Sequence, residues 1–333
     1  MKSQAAAKNG ALSKAFGEER RGRRGSSALY RKELADHLRS RRFYIILALL
    51  LFTTTASLIG AASTLASSET DSSEFMFLSL FTTSSSSIYS IATFIAFLGP
   101  LVGITLGFDA ISNERSQGTL NRLAAQPIYR DSIINAKFLS GATAVFVVMA
   151  VVGLYISGLG LALTGLEPSA EEAFRVVIFF LFSGVYISVW LALAIIFSVV
   201  CRHAATAALA CISIWLFLSM FMSLVASGIA NWIYPLEGMQ IYTNQVSNYE
   251  LQLGLNRISP YYLFSEAAST ILNPGVRSIG VVTLSQYEGA VASSLSLGQS
   301  LLLIWPHLVG MIAIAMAGFA ISYICFMRQE IRA

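Results

Sequence analysis

The chain has little charge, little cysteine and little histidine, and each shortage excludes a class of protein. Only 12% of its 333 residues are charged, whereas 55% are hydrophobic, and soluble domains have roughly 25% charged residues. Its three cysteines lie in or beside apolar stretches, which excludes a disulfide framework in the polar segments. Its three histidines, His37, His203 and His307, are too scattered for a metal site or a catalytic triad. We therefore predict neither a catalytic nor a metal site, and no enzyme.

Two further absences concern the source of energy. The sequence has no Gly-rich P-loop ending in GK[ST], so it has no recognised cradle for ATP phosphates. No Asp, Glu, Lys or Arg lies inside its long apolar stretches, which excludes an ionisable relay within the membrane. We predict that this chain holds no cofactor and that any ATP and Mg bind a partner. The carboxylates predicted to lie outside show no paired spacing; they are Glu237, Glu250, Glu266 and Glu288.

Six apolar stretches are each long enough to cross a bilayer core of about 30 Å as a helix. The predicted fold class is therefore an all-α polytopic membrane protein with six transmembrane helices. A shorter apolar run, residues 75–81, cannot cross and is predicted to pack in an outward loop. The six predicted spans are residues 43–65, 88–108, 138–163, 176–200, 205–230 and 300–327.

Lysine and arginine predict the orientation of these spans. Of the 22 such residues, 19 lie on one side, in residues 1–42, 109–137, 201–204 and the tail, and three lie on the other. The positive-inside rule therefore places both termini in the cytosol and the protein in the cytoplasmic (inner) membrane as a multi-pass protein. The basic residues concentrate before the first span, which favours anionic membrane lipids over nucleic acid as their partner.

The segments outside the spans predict the domain organisation. Residues around 29–42 carry apolar positions at helical spacing among arginines, which favours an amphipathic helix in the headgroup plane over a simple basic stop. Residues 231–299 are too apolar for a disordered linker and predict an outer helical cap. The predicted parts are a mobile basic N-terminal tail (1–28), the interfacial helix (29–42), spans one to five with the loop 109–137 (43–230), the outer cap (231–299), and the last span with a cytosolic tail (300–333).

The second span carries Gly99, Gly103 and Gly107 at four-residue spacing, so the three share one stripe of a helix. Small residues along a stripe let another backbone approach closely in a membrane. Packing against a neighbouring span of the same chain is the favoured interpretation. A contact with a second subunit or with substrate is the alternative.

The loop 109–137 between the second and third spans is much longer than a minimal turn needs. Thr119 is suited to cap a short helix over residues 120–126, which Pro127 would end. The pattern predicts a short helix held parallel to the membrane between two long ones. An ordinary solvated hairpin turn is the alternative.

This loop resembles that of the ABC type-2 permeases, the membrane subunits of ATP-binding cassette exporters. Members carry the pattern F-D-x-I-x-x-E-R-x-x-G-T-L, then Q-P-I and a later K-F-L, and a Lys-Glu-Leu element with arginines before the first span. The matching residues here are Phe108, Asp109, Ile111, Glu114, Arg115, Gly118, Thr119, Leu120, Gln126, Pro127, Ile128, Lys137, Phe138 and Leu139, preceded by Lys32, Glu33, Leu34, Arg39, Arg41 and Arg42.

The resemblance implies that the loop is a cytosolic coupling helix, which docks on a separate cytosolic ABC ATPase subunit. It also implies pairing with a second permease copy or a related permease, and alternating access to a central path. The apolar spans without charged residues favour a lipid-like or amphipathic substrate over an ion. The alternative is a membrane anchor or mechanical subunit of an ATPase-driven envelope complex. The implied ATPase-coupling residues are Glu114, Arg115, Gly118, Thr119, Leu120 and Arg122, and candidate path-lining residues are Thr105, Ser213, Ser219 and Ser223.

Overall fold

A computed structural model describes residues 25–67, 75–85, 88–119, 129–238, 241–275 and 294–329. The described residues are mostly helical and include no strand, which confirms the all-α prediction. The helices are α1 (25–39), α2 (Arg41–Ser67), α3 (Met76–Thr82), α4 (Ile91–Gly107), α5 (Ser112–Ser116), α6 (Arg130–Thr164), α7 (Ala170–Val200), α8 (Ala204–Leu216), α9 (Met222–Ile233), α10 (Ile241–Asn256), α11 (Pro260–Leu272) and α12 (Leu297–Arg328).

Six helical segments are long and apolar enough to cross a membrane, as predicted. They are α2, α4 with its continuation to Ser116, α6, α7, α8 joined to α9 through a π-helical turn, and α12. Because successive spans run in opposite directions, the bundle has two ends. We call them the Lys137 end, where α2 and α6 begin, and the Arg175 end, where α7 and α12 begin.

The central helix of the bundle is α7. Within its most apolar window 72% of residues are buried, against 11% for the span formed by α8 and α9. Helices α4, α6, α11 and α12 all pack along α7, and its aromatic side chains Phe179, Tyr186 and Trp190 are fully buried. The fifth span therefore lies at the periphery, with most of its surface uncovered by this chain.

The glycine stripe of α4 lies against α7 of the same chain. A Cβ atom added at Gly103 would lie 2.5 Å from the carbonyl oxygen of Ile187, and one at Gly107 would lie 2.8 Å from the Cβ of Ala194. Gly99 likewise faces the side chain of Ile187. Only glycine permits this backbone approach, so the stripe sets the distance between the two helices.

One predicted helix has different bounds. The N-terminal helix predicted over 29–42 occupies residues 25–39, because the hydroxyl of Ser40 accepts a hydrogen bond from the amide of Phe43 and starts a new helix, α2. The helix of the third span begins at Arg130, ahead of the apolar stretch that starts at residue 138. The first turns of this helix are polar. They are stabilised because Asp131 complements the positive end of the helix and Lys137 forms salt bridges with Glu33 and Glu114.

The predicted outer cap is helical, but it does not rest on the ends of the spans. Helix α10 packs back along α9, and α11 packs along α7; we call these two helices, which run in opposite directions, the α10–α11 hairpin. At its tip the hydroxyl of Ser259 donates to the carbonyl of Leu218, 2.8 Å away and halfway along the fifth span. Phe264 of α11 stacks on Tyr186, halfway along α7, with ring centroids 4.4 Å apart. The hairpin thus reaches the middle of the bundle. The rest of the predicted cap, residues 239–240 and 276–293, lies outside the described residues.

The Arg175 end is held by one fully buried guanidinium. Arg175 donates to the carbonyls of Ile271 (3.0 Å) and Leu295 (2.7 Å), to the hydroxyl of Ser300 (3.1 Å) and to the carboxylate of Glu171 (2.8 Å). It therefore joins α7, the end of α11 and the start of α12.

Beside it, Glu172 accepts hydrogen bonds from the amides of Ser169 (2.8 Å) and Phe77 (3.0 Å). These contacts cap α7 and satisfy an amide at the start of α3. The short apolar run predicted to pack in a loop is this helix α3, and four of its side chains are buried: Phe77, Leu78, Leu80 and Phe81.

Candidate functional site

Three charged side chains meet at the opposite end of the bundle. The Nζ atom of Lys137 lies 3.1 Å from Oε2 of Glu33 and 2.8 Å from Oε1 of Glu114. The Lys137 side chain is only 4% exposed, and that of Glu114 is 18% exposed. We call these three residues the Lys137 cluster. The cluster joins α1, α5 and α6. Each of its residues comes from a different motif of the sequence: Glu33 from the Lys-Glu-Leu element, Glu114 from the Glu-Arg pair of the loop, and Lys137 from the Lys-Phe-Leu element.

Packing of α1 against the bundle aims Glu33 at the cluster. Leu29 is buried in the core, and the hydroxyl of Tyr30 donates to the hydroxyl of Thr143 on α6 at 2.9 Å. Glu33 follows about one turn later on the same face of the helix. The N-terminal helix, predicted to lie in the headgroup plane, is thus a packed part of the protein.

Further charges surround an open cavity of about 610 Å³ beside the cluster. Arg42 pairs with Asp109 and lies over the ring of Phe108. Lys32 lies 3.1 Å from Glu33 and 3.3 Å from Asp36. The cavity lets water or another protein reach the cluster, although Lys137 itself is buried.

Charged neighbours alter the pKa of Glu33 in the cluster and of Lys32 beside it. Burial alone would raise the pKa of Glu33, but the charges of Lys137 and Lys32 outweigh it and lower that pKa. For Lys32, burial alone would lower the pKa, and the carboxylates of Glu33 and Asp36 raise it instead. Burial lowers the pKa of His37. Glu33 is therefore held in its charged form at neutral pH.

A second set of contacts attaches the loop to α7 and α12. The guanidinium of Arg115 donates to the carbonyl of Val199 (3.1 Å) and to the side chain of Gln329. Gln329 in turn donates to the same carbonyl at 2.7 Å and accepts at its own carbonyl from Arg130 (2.9 Å). The hydroxyl of Ser198 accepts from two loop amides at 2.9 and 3.1 Å. Any displacement of α5 is therefore passed to four helices: α1, α6, α7 and α12.

The residues assigned to ATPase coupling have different surroundings in the structure. Glu114 and Arg115 face the protein, so they position the loop. Gly118 has a positive φ of 68° and no atom near its missing side chain, and the exposed Thr119 donates to the carbonyl of Glu114 at 3.2 Å. Leu120, Arg122 and the helix predicted over 120–126 lie outside the described residues.

The candidate path-lining residues do not form one site within the chain. Thr105 lines the cavity beside the Lys137 cluster, and none of the three serines does. Ser213 and Ser223 are exposed on the fifth span, while the hydroxyl of Ser219 is buried without a hydrogen-bond partner among the described residues. A path along these serines would need a surface outside this chain.

Sequence reasoning missed one set of ionisable groups. Glu266 of α11 lies 2.8 Å from Nε2 of His307 on α12 and 3.0 Å from Nε of Arg257 at the hairpin tip. The Nδ1 atom of His307 is buried without a partner in the described part of the chain. Glu266 and His307 are 41 residues apart, so their positions in the sequence did not predict this contact.

The chain is similar in sequence to known proteins. Residues 27–331 match the model of a family described as "ABC-2 family transporter protein". The chain is similar to the probable ABC transporter permease protein NosY of Pseudomonas aeruginosa, with 29% identity over 200 residues. That match covers 58% of this chain and 66% of the relative, just under two thirds of its length. The chain thus belongs to the ABC-2 family of transporter proteins.

Proposed function

We propose that this permease exports a lipid-like or amphipathic substrate and is driven by a separate cytosolic ATPase that docks on the loop 109–137. The observation that carries the proposal is Lys137, a buried lysine shared by Glu33 of α1 and Glu114 of α5. A buried lysine is costly unless paired, so α5 cannot leave the cluster without exposing or abandoning a charge. The loop is thereby tied to the spans that it would have to move.

Force applied to the loop would reach the spans through named contacts. The Lys137 cluster would carry it to α6, and Arg115 and Ser198 would carry it to the ends of α7 and α12. Rigid helices packed on α7 would transmit the movement to the far end. The positive-inside pattern supports a cytosolic Lys137 end, which puts both termini and the docking loop on the side where ATP is found.

A second permease, either another copy or a related chain, is proposed to cover the fifth span. Large apolar side chains of the fifth span are exposed, including Phe217, Met220 and Leu224. The exposed hydroxyls of Ser213 and Ser223 lie among these apolar side chains. Two fifth spans facing each other would place the serines along a shared path, and the mainly apolar walls favour a lipid-like cargo over an ion.

Two glycines offer a matched test of ATPase docking. Gly118 and Gly165 both have positive φ, 68° and 67°, and neither has an atom near its missing side chain, but they lie at opposite ends of the bundle. Valine strains the backbone similarly at both. We expect Gly118→Val to insert normally and to lose co-purification with the partner ABC ATPase, while Gly165→Val keeps it. Equal loss in both variants would contradict docking on this loop.

Export itself is tested in vesicles that contain the permease and its ATPase. A fluorescent amphiphile should stimulate ATP hydrolysis and accumulate on the side opposite the ATPase. Stimulation should disappear in Gly118→Val and persist in Gly165→Val. An ATPase that associates normally but ignores every amphiphile and moves none would favour the alternative, a mechanical subunit of an envelope complex.

A further inference from the structure

The α10–α11 hairpin carries a hydroxyl-rich face that neither the ATPase contacts nor the core packing use. Tyr261, Ser265 and Ser269 of α11 follow one another at four-residue spacing and so share a face. This face borders a cavity of about 160 Å³ between α11, the first turns of α4 and the end of α3. The opposite wall adds three more hydroxyls, those of Thr82, Ser90 and Thr93.

Among the described residues that line this cavity, none is charged. Six of them carry hydroxyls, and the other three are the alanines Ala92, Ala96 and Ala268. The only acidic residue of α11, Glu266, is engaged with Arg257 and His307 instead. Helix α11 thus keeps its one carboxylate paired and presents neutral groups to the cavity.

The depth of the cavity makes its polarity informative. It extends along α4 from Ser90, the N-cap, to Ala96, whose carbonyl accepts from the buried Tyr186 halfway along α7. Ser265 and Ser269 are nevertheless exposed. The hydroxyl of Ser269 donates to the carbonyl of Glu266 at 2.8 Å, and the hydroxyls of Ser90 and Thr93 lie 2.9 Å apart, so these three make bonds within the protein. The exposed hydroxyl of Ser265 has no partner among the described residues. A hydroxyl that faces hydrocarbon loses its hydrogen bonds to water, so the exposure of Ser265 at this depth indicates contact with water or with a polar ligand.

We infer that this cavity binds the neutral, hydroxyl-bearing head group of an amphipathic molecule. Each hydroxyl can both donate and accept a hydrogen bond, which suits a polyhydroxyl head such as a sugar ring. An ionic head would give up its hydration without meeting an opposite charge. The volume equals that of about five water molecules in the liquid. The inference rests on the proposed function, because it gives the exported substrate a chemical class.

Cysteine labelling tests the site without the ATPase. We would replace Cys201, Cys211 and Cys325 by alanine in the full chain, add Ser265→Cys, and place it in phosphatidylcholine nanodiscs. A membrane-impermeant maleimide should label the new thiol. Octyl glucoside should slow labelling by about fivefold, the effect of one hydrogen bond, whereas octyltrimethylammonium and octyl sulfate should not. Leu302→Cys, which is 80% exposed on α12, should stay unlabelled.

A second pair of variants separates binding from misfolding. Tyr261→Phe removes a hydroxyl that lines the cavity and should weaken the protection by octyl glucoside. Tyr262→Phe makes the same change on the neighbouring position, which does not line the cavity, and should leave the protection intact. Absent labelling of Ser265→Cys, or equal slowing by all three octyl compounds, would overturn the inference. Protection without any ATPase-driven export would instead overturn the proposed function and leave the site standing.

Discussion

The two ends of the bundle attach their connecting segments to the helices by different chemistry. At the Arg175 end, a fully buried guanidinium donates to two backbone carbonyls and a hydroxyl. At the Lys137 end, a lysine is held by two carboxylates beside an open cavity of about 610 Å³. At the Arg175 end, the carbonyls can lose their bonds to the guanidinium only if the backbone itself moves. At the Lys137 end, water can replace the lysine as the partner of the carboxylates. The Lys137 end is therefore the one suited to respond to a docking protein.

The largest expected effect comes from breaking the rigid end. Arg175→Met would leave the carbonyls of Ile271 and Leu295 and the hydroxyl of Ser300 without their donor. Unsatisfied buried groups cost about 1–3 kcal/mol each, and we expect a total loss of about 3–5 kcal/mol. Thermal unfolding in detergent measures it. Arg202→Met, at an exposed turn, is the control. A comparable loss of stability in that variant would contradict the proposal that Arg175 holds this end of the bundle together.

The next effect separates stability from coupling at the Lys137 end. Lys137→Met leaves Glu33 and Glu114 close together, and we expect a loss of about 2–4 kcal/mol. The loss is smaller than for Arg175 because the cavity lets these carboxylates regain water. It is measured by thermal unfolding, together with ATP hydrolysis by the assembled complex.

The neutral set Lys137→Met, Glu33→Gln and Glu114→Gln provides the control. It should recover stability, because no buried charge is then unpaired, but it should not recover substrate-stimulated ATP hydrolysis. If the triple variant hydrolyses ATP as the unaltered protein does, the cluster does not transmit force, and the contrast between the two ends is only one of stability.

The spans were predictable from sequence, whereas the contacts between them were not. Long apolar stretches must become helices in lipid, so all six were found. Each residue of the Lys137 cluster belongs to a recognised motif. No pattern of neighbouring residues, however, predicts that Glu33 and Lys137, 104 positions apart, form a salt bridge. Arg175 was counted only toward the orientation of the spans, because the partners by which it joins α11 and α12 to α7 include the backbone carbonyls of Ile271 and Leu295, which no sequence pattern displays.

The hairpin shows where the length rule failed. Helix α11 has 13 residues and contains Glu266, so it is too short to cross a bilayer and was predicted to lie outside. A helix that enters halfway and returns needs only half that length. Its glutamate is tolerated there because Arg257 forms a salt bridge with it and His307 lies within hydrogen-bond distance, contacts that become visible only in three dimensions.

A third prediction concerns the connection between the two ends. Gly103→Ala would push a Cβ atom to 2.5 Å from the Ile187 carbonyl, separating α4 from α7 at a cost of about 1–3 kcal/mol. Gly158→Ala is the matched control, since nothing lies within 4 Å of its missing Cβ. That change should stabilise helix α6 by about 0.5–1 kcal/mol. Thermal unfolding of both measures the difference, and the same sign in both would contradict close packing at Gly103.

The smallest expected effect is a pH dependence confined to the Lys137 end. Burial lowers the pKa of His37 below its usual 6.5, so on acidification the unfolded chain takes up a proton that the folded chain refuses. Stability from this group is therefore present above pH 6.5 and is lost as the pH falls through the folded pKa. We expect the unfolding temperature to fall less between pH 7.5 and 5.5 in His37→Gln than in the unaltered protein. Parallel pH profiles would mean that His37 is hydrated in the folded state, and that the open cavity admits water farther toward α1 than its packing indicates.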